Sequence, residues 1–379
     1  MIYLDYNATT PVDPRVADAM LPFLSGGFGN PSSAHRLGRE ARAAVERSRA
    51  QVAACLGCDA DEILFTSGGS ESDNLALRGV LAAAGGGHLV TSAVEHPAVL
   101  EVALALELEG RARLSVVDVD SRGQVEVAAV ERALRPDTRL VSLMLANNEV
   151  GTLQPVAEVA RLCRERGVLV HTDAAQAVGK VGFNVRALGV DLLAVAGHKL
   201  YAPKGVGALY VRRGVSLEPL IRGAGHERGL RAGTENVLGI VGLGVACELA
   251  GREVTAEAPR LASLRDRLEG RLRAGHQRLV VHGHPLERLP NTSSVSFPGV
   301  DAGRLLAALA DSVAVSAGAA CHGDQVKASH VLQAMGVAPD VAMGTLRLSV
   351  GRFTTEAEVD DGARLVLEAV DALRPQERR

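Results

Sequence analysis

Aromatic side chains make up only 3% of the 379 residues, and no run of eighteen apolar residues occurs. The first scarcity, set against 41 glycines, implies many tight turns and a core built from Ala, Val and Leu. The second excludes a membrane-spanning helix, which needs about 20 predominantly apolar residues. The opening MIYLDYNATTP lacks the basic start and apolar stretch of a secretory signal, so a cytoplasmic location is expected. A net charge of −3 gives no general attraction to nucleic acid or to an anionic membrane. The five cysteines are an odd count without framework spacing, which fits free thiols in a reducing compartment. Cys55 and Cys58 form a CxxC, but no second pair follows at zinc-site spacing. Helix-end packing is their expected role, and no metal site is expected. Lysine is the most useful shortage: only four of the 41 basic residues, Lys180, Lys199, Lys204 and Lys327. Chemistry that needs a primary amine has few candidates here.

The composition, 47% hydrophobic and 22% charged, suits a globular protein with a sizeable core. The length predicts one large domain with a smaller one attached. Between residues 60 and 212, strand-length apolar runs alternate with helix-period segments. Ile63–Thr66, His88–Thr91, Leu114–Val119, Leu140–Ala146, Val168–Thr172, Asp191–Ala196 and Gly207–Val211 read as strands. Residues 70–83, 97–109, 126–135 and 155–166 read as helices, with Ser70 and Pro97 as start signals. This alternation predicts an α/β fold around a mostly parallel, seven-stranded sheet. A Gly-rich crossing is expected over 223–244, followed by a long helix over 257–275 and a smaller α+β unit. The expected division is a large domain over residues 15–250 and a small one formed by 1–14 with 251–379.

In open α/β sheets, ligands sit beyond the carboxyl ends of the strands. The strand 63–66 runs into Ser67-Gly68-Gly69-Ser70 and then a helix. Such a helix start can cradle phosphate, although a plain turn capped by Ser70 explains it equally well. No complete G-x-G-x-x-G or Walker lysine motif follows a strand, which disfavours dinucleotides and nucleoside triphosphates. The strand 168–172 ends in His171-Thr172-Asp173, and the strand 191–196 ends in Gly197-His198-Lys199. Apolar neighbours on both sides of Lys199 would desolvate its amine and favour the neutral form that makes Schiff bases. A lysine, a carboxylate and a phosphate cradle on neighbouring strand ends together make a pyridoxal-phosphate site. Cys321 follows the small-residue run 316–320, which reads as a mobile turn. With glycine on either side and His322 adjacent, an exposed and reactive thiol is expected.

From DYNATTP to LRLSVGRFTT, the chain resembles the cysteine desulfurases and selenocysteine lyases. These form the class V branch of fold-type I pyridoxal-phosphate enzymes. The shared segments, in order, are Asn30-Pro31-Ser32-Ser33, FTSGGSES (65–72), Val94-Glu95-His96, Ala146-Asn147-Asn148-Glu149, HTDAAQ (171–176), GHK (197–199), RAGTEN (231–236) and SAGAACH (316–322). The resemblance implies that Lys199 carries pyridoxal 5'-phosphate and that Asp173 partners the ring nitrogen. His96 would stack on the ring and move protons, and Asn148 and Gln176 would bond the ring's phenolic oxygen or the substrate. Gly69, Ser70 and His198 would hold the phosphate. Thr234 would reach the phosphate of a neighbouring subunit, which implies a homodimer. Arg347 would clamp the substrate carboxylate, a task suited to a planar guanidinium. Cys321 would accept the sulfur. Ala196 departs from the pattern, since relatives often place a phosphate-binding serine there.

The expected reaction converts L-cysteine to L-alanine and leaves a persulfide on Cys321 for a sulfur-acceptor or iron–sulfur scaffold protein. Selenide release from L-selenocysteine is the nearest alternative, and SAGAACH and GTEN resemble the selenocysteine lyases at least as well. An aminotransferase would share Lys199 and Asp173 but would not need Cys321.

Overall fold

The computed structural model describes residues 1–322 and 325–373, with the side chains of 319–327 outside the description. A short strand, β1 (Ile2–Tyr3), opens the chain. Strands β2 (Ile63–Thr66), β3 (His88–Ser92), β4 (Arg113–Val117), β5 (Thr138–Ser142), β6 (Leu169–Asp173), β7 (Leu192–Ala196) and β8 (Gly207–Val211) then form one sheet. Its order is β2-β8-β7-β6-β5-β3-β4, and only β8 runs antiparallel to its neighbours. This is the mostly parallel, seven-stranded α/β sheet expected from the sequence.

Helices cover both faces, so β2, β3, β7 and β8 are buried at every residue. That explains their near-continuous apolar runs. The twofold alternation of side chains sorts each strand between two cores. Leu64, Leu89, Leu140 and Leu209 pack with Leu75, Leu77, Val99 and Leu106 from the helices Gly69–Ala83 and Pro97–Leu108. Ile63, Val90, Val141 and Val195 pack on the other side with Val45, Val52, Val159 and Leu243.

The sequence expectation fails over 237–256. A single helix runs from Val237 to Gly275 and continues past residue 250 without interruption. Its early glycines are contact points rather than a linker. A Cβ on Gly244 would lie 2.7 Å from the Ser48 backbone, and one on Gly242 would lie 2.8 Å from Pro203. Close approach to the helix Arg36–Leu56 therefore requires residues with low helix propensity. Cys58 caps that helix end: its thiol donates to the Ala53 carbonyl at 3.7 Å, and burial pushes its pKa up to about 12.

Beyond this helix come β9 (Val280–His282), β10 (Thr292–Ser296), β11 (Val313–Ala314), β12 (Ser316–Ala317), β13 (Ala319–His322), β14 (Gln325–Ala328) and β15 (Thr345–Ser349). They form a sheet ordered β12-β15-β10-β9, a β1-β11 pair and a β13-β14 hairpin. Leu4 from the N-terminus joins Leu264, Leu268, Phe297, Leu346, Leu348, Val359 and Val366 in a separate core. The run 316–322 is thus strand rather than an irregular turn. Ser316 and Ala317 pair with Arg347 and Leu346, and Cys321 lies opposite Val326. A Cβ on Gly318 would lie 2.7 Å from Thr345, so the small residue there serves close packing. Among the described residues no helix is long and apolar enough to cross a membrane.

Candidate active site

Parallel strands deliver their carboxyl ends to one edge of the sheet, and a cavity of about 240 Å³ opens there. The β2 end contributes Gly69 and Ser70, and β3 contributes His96. Asn148 enters from the segment after β5, and Asp173 and Gln176 from β6. The turn after β7 adds His198 and Lys199, while β15 adds Arg347. A larger trough of about 1070 Å³ lies elsewhere, lined by residues such as Arg78, Glu109 and Arg222. Several of its charged groups are already paired, Arg78 with Glu109 at 3.1 Å and Arg222 with Glu218 at 2.9 Å. The smaller cavity is the one with convergent chemistry.

Two carbonyls hold the Lys199 amine: Nζ donates to Asn7 at 2.6 Å and to Ala8 at 2.8 Å. Burial, followed by the charge of Arg347, lowers its pKa to about 8, against the pull of Asp173 and Asp5. A lysine in this range holds a useful fraction of neutral amine near pH 7. Asp173 is buried, its Oδ1 accepts from the Ala175 N–H at 2.8 Å, and burial raises its carboxyl. A cationic ring nitrogen beside Asp173 would offset that cost.

The helix Gly69–Ala83 begins at the cavity wall with Gly68 in the left-handed region at φ +155°. Its first N–H groups have no acceptor inside the helix, which suits an anion. Gly69 also fits because Ala196 is near: a Cβ there would lie 3.2 Å from the Ala196 methyl. Ala196 brings no hydroxyl, so Ser70 is the hydroxyl at this wall. His198 approaches Thr9, Nδ1 to Oγ1, at 3.2 Å, and burial lowers its pKa to about 4, leaving a neutral ring. His96 caps the helix Pro97–Leu108 through Nδ1, which accepts from the Ala98 N–H at 3.1 Å. Its pKa is lowered, first by the surrounding protein and then by Lys199 and His330, against Asp173.

Arg347 donates through Nη2 to Asp5 Oδ1 and to Ser316 Oγ, each at 2.9 Å, and through Nη1 to the Asn148 carbonyl at 3.2 Å. Its buried Nε has no partner. Within Val94-Glu95-His96, Glu95 is structural: it accepts from Ser92 at 2.6 Å and from the Met144 N–H at 3.0 Å.

The structure therefore gathers Lys199, Asp173, His96, Asn148, Gln176 and Arg347 with the helix start and His198 around one cavity. Thr234 is exposed and does not line it. Cys321 is located by its backbone alone, on the β13-β14 hairpin; its side chain lies outside the described residues. On one side of that hairpin Ser316 Oγ accepts from Arg347 of the cavity wall at 2.9 Å, and on the other His330 Nε2 donates to the carbonyl of Glu95, the neighbour of His96, at 2.9 Å.

Sequence reasoning missed four residues. Asn7 and Asp5 bring a carbonyl and a carboxylate to Lys199 and Arg347 from the far end of the chain. Asp73 lines the cavity with a buried oxygen that has no hydrogen-bond partner. Lys180 sits behind Gln176. DYNATTP signals Asp5 and Asn7, and the scarcity of lysine signals Lys180.

The donor set fits pyridoxal phosphate: a depressed lysine, a buried carboxylate and a helix start with small residues. The sequence comparisons agree. The class-V aminotransferase family profile matches residues 2–361. The chain is 49% identical to the cysteine desulfurase IscS of Anaeromyxobacter dehalogenans over 378 residues, covering 98% of this chain and 93% of that protein. A solved NifS-like protein superposes with a TM-score of 0.92 at 40% identity, covering 98% of this chain and 100% of the other. A structure of SspA in complex with cysteine superposes at 0.81 with 34% identity, covering 94% of this chain and 100% of that one. The chain belongs to the class-V aminotransferase family and, within it, to the pyridoxal-phosphate-dependent cysteine desulfurases.

Proposed function

We propose that this chain takes sulfur from L-cysteine, releases L-alanine and carries the sulfur as a persulfide on Cys321 for an acceptor protein. One observation carries the reading. The Lys199 amine, the Asp173 carboxylate and the helix start at Gly69 and Ser70 share one cavity, and the hairpin bearing Cys321 is flanked by ties to Arg347 of its wall and to Glu95 beside His96.

Bound pyridoxal phosphate would supply an aldehyde to carry the amino acid and a ring to take up electrons from its α-carbon. Gly69, Ser70 and His198 would hold its phosphate, and Asp173 would hold its ring nitrogen. Arg347, which lines the cavity, would orient the substrate carboxylate through its planar guanidinium. Lys199, near pH 8 in its titration, takes the α-proton and can return one to the product. His96 is a neutral imidazole that can hold a proton at Nε2, because Nδ1 is engaged with Ala98. The Cys321 thiolate attacks the substrate sulfur: its S–S bond forms as the carbon–sulfur bond breaks, and a proton completes the methyl group of alanine. Exposed Thr234, which is absent from this cavity, suits a role in the cavity of a second subunit of a homodimer. We also assign residues 1–14 with 251–379 to the small domain and 15–250 to the large one.

Two variants test the reading. Lys199→Ala should abolish the visible absorption of the lysine-bound cofactor together with activity. Cys321→Ala should keep that absorption and stop sulfide release from cysteine; continued desulfuration by it would overturn the proposal. Turnover of L-selenocysteine against L-cysteine, with and without an iron–sulfur scaffold protein, ranks the substrates and the acceptor.

A further inference from the structure

Lys180 is only 6% exposed, and among the described residues no carboxylate pairs with it. Burying an unpaired ammonium is costly, and a structure keeps one only where something compensates. The charged groups acting on it, Lys199 and Arg347, are both cations. Burial first, then these two, lowers its pKa to about 7.

Its hydrogen bond gives it a use. Lys180 Nζ donates to Gln176 Oε1 at 2.8 Å, and Gln176 Nε2 donates to the Asn7 carbonyl at 2.9 Å. That carbonyl also accepts from Lys199 Nζ at 2.6 Å. A side-chain amide can occupy its site in two orientations that swap oxygen and nitrogen. Here both ends select the same one: Lys180 Nζ donates to the amide oxygen, and the Asn7 carbonyl can only accept from the amide nitrogen. The Gln176 NH₂ is thereby turned toward Asn7, and Gln176 lines the cavity beside Lys199. The arrangement is local, since Lys180 lies four residues after Gln176 in a turn whose N–H of Lys180 bonds the Ala177 carbonyl at 3.0 Å.

We propose that Lys180 is a positioning residue that locks the Gln176 amide with its oxygen inward, so that it offers the bound cofactor or substrate a donor rather than an acceptor. The inference rests on the cofactor reading above and adds a residue to it. A donor next to a ring oxygen favours the ionised form of that oxygen. With the lock removed, the amide can flip and present its oxygen instead.

A double-mutant cycle on the holoenzyme tests this with Lys180→Met, Gln176→Ala and the pair. The first readout is the pH midpoint of the bound cofactor's visible absorption, which should rise by about one unit in each single variant. The second is kcat/KM for cysteine, which should fall roughly tenfold in each. The double variant should be no worse than either single one, because one route carries both effects. Additive losses, or an unmoved midpoint in Lys180→Met, would overturn the proposal. Lys180→Leu serves the same cycle if the methionine variant does not fold. If the unsubstituted holoenzyme released no sulfide from cysteine, the desulfurase reading would fall, while the spectral cycle would still report on Lys180.

Discussion

Arg49 and Glu227 are 6% and 7% exposed, and Asp73 and His171 are 1% and 0%. Burial does not separate these two pairs of ionisable groups; their partners do. Glu227 accepts from Arg49 Nη1 at 2.8 Å, from Nη2 at 2.7 Å and from the Phe65 N–H at 2.9 Å. Arg49 also donates to the Ile63 carbonyl at 2.9 Å, and its guanidinium lies 4.7 Å from the Phe65 ring centre. At the cavity, Asp73 Oδ1 and His171 Nε2 stand 3.5 Å apart, and neither makes a hydrogen bond. A saturated cluster spends its polar groups on the fold. The unsaturated one leaves two buried polar atoms without a partner, on and just behind the cavity wall at Asp73.

The saturated cluster should be the costlier one to break. Glu227 and Arg228 are non-glycine residues at φ +47° and +59°, a strained conformation that needs strong restraint. Glu227→Ala removes the buried partner of the Arg49 guanidinium and leaves only the exposed Glu46, at 3.2 Å from Nε, to pair it, so a loss of about 3 kcal/mol is expected. Urea unfolding of the holoenzyme measures it, and a loss below about 1 kcal/mol would show that the cluster does not restrain the loop.

An intermediate effect is expected at Lys199, whose charge is balanced by the cavity rather than by a partner carboxylate. Cofactor uptake by the apoprotein needs the neutral amine. Its rate should climb about tenfold per pH unit below pH 8 and level off above it. Because the charge of Arg347 helps hold that pKa down, Arg347→Ala should move the break to higher pH. An unmoved break would mean that burial alone sets it.

Much of this contrast was legible in the sequence, because strand ends carry it. Ile63–Thr66 and Gly207–Val211 read as strands from apolar runs bounded by glycine or polar residues, and their observed bounds are the same. Asp173 and Lys199 stood out as polar residues closing such runs. What stayed hidden depends on contacts between distant segments. Gly242 and Gly244 look like a linker until Pro203 and Ser48 supply the neighbours that need them small. Asn7 acts through a carbonyl, which no side-chain pattern reports, and Lys180 acts through the second face of Gln176. The pairing of Ser316 and Ala317 with β15 has no periodic signal because β12 is only two residues long.

At low pH the smallest effect is expected at Asp73, and its change with pH has a defined sign. Burial, then the charges of Asp173 and Glu95, raise its carboxyl well above the ordinary value, while burial lowers the His171 pKa to about 3. The His171 ring is thus neutral near pH 7, and Asp73→Asn keeps a polar group of similar shape that cannot ionise. Below the ordinary carboxylate range, stability should change by about 1 kcal/mol or less. A folded-state pKa above the unfolded one contributes stability that is complete below the unfolded pKa and declines as pH rises toward the folded one. The wild-type protein should therefore lose stability relative to Asp73→Asn as pH climbs from about 4 toward neutral, a window that opens at the ordinary carboxylate pKa. Urea midpoints for the two proteins at pH 4, 5.5 and 7 read the trend. A wild-type advantage that grows with pH would mean that Asp73 is ionised and partnered, which would place it with the saturated cluster.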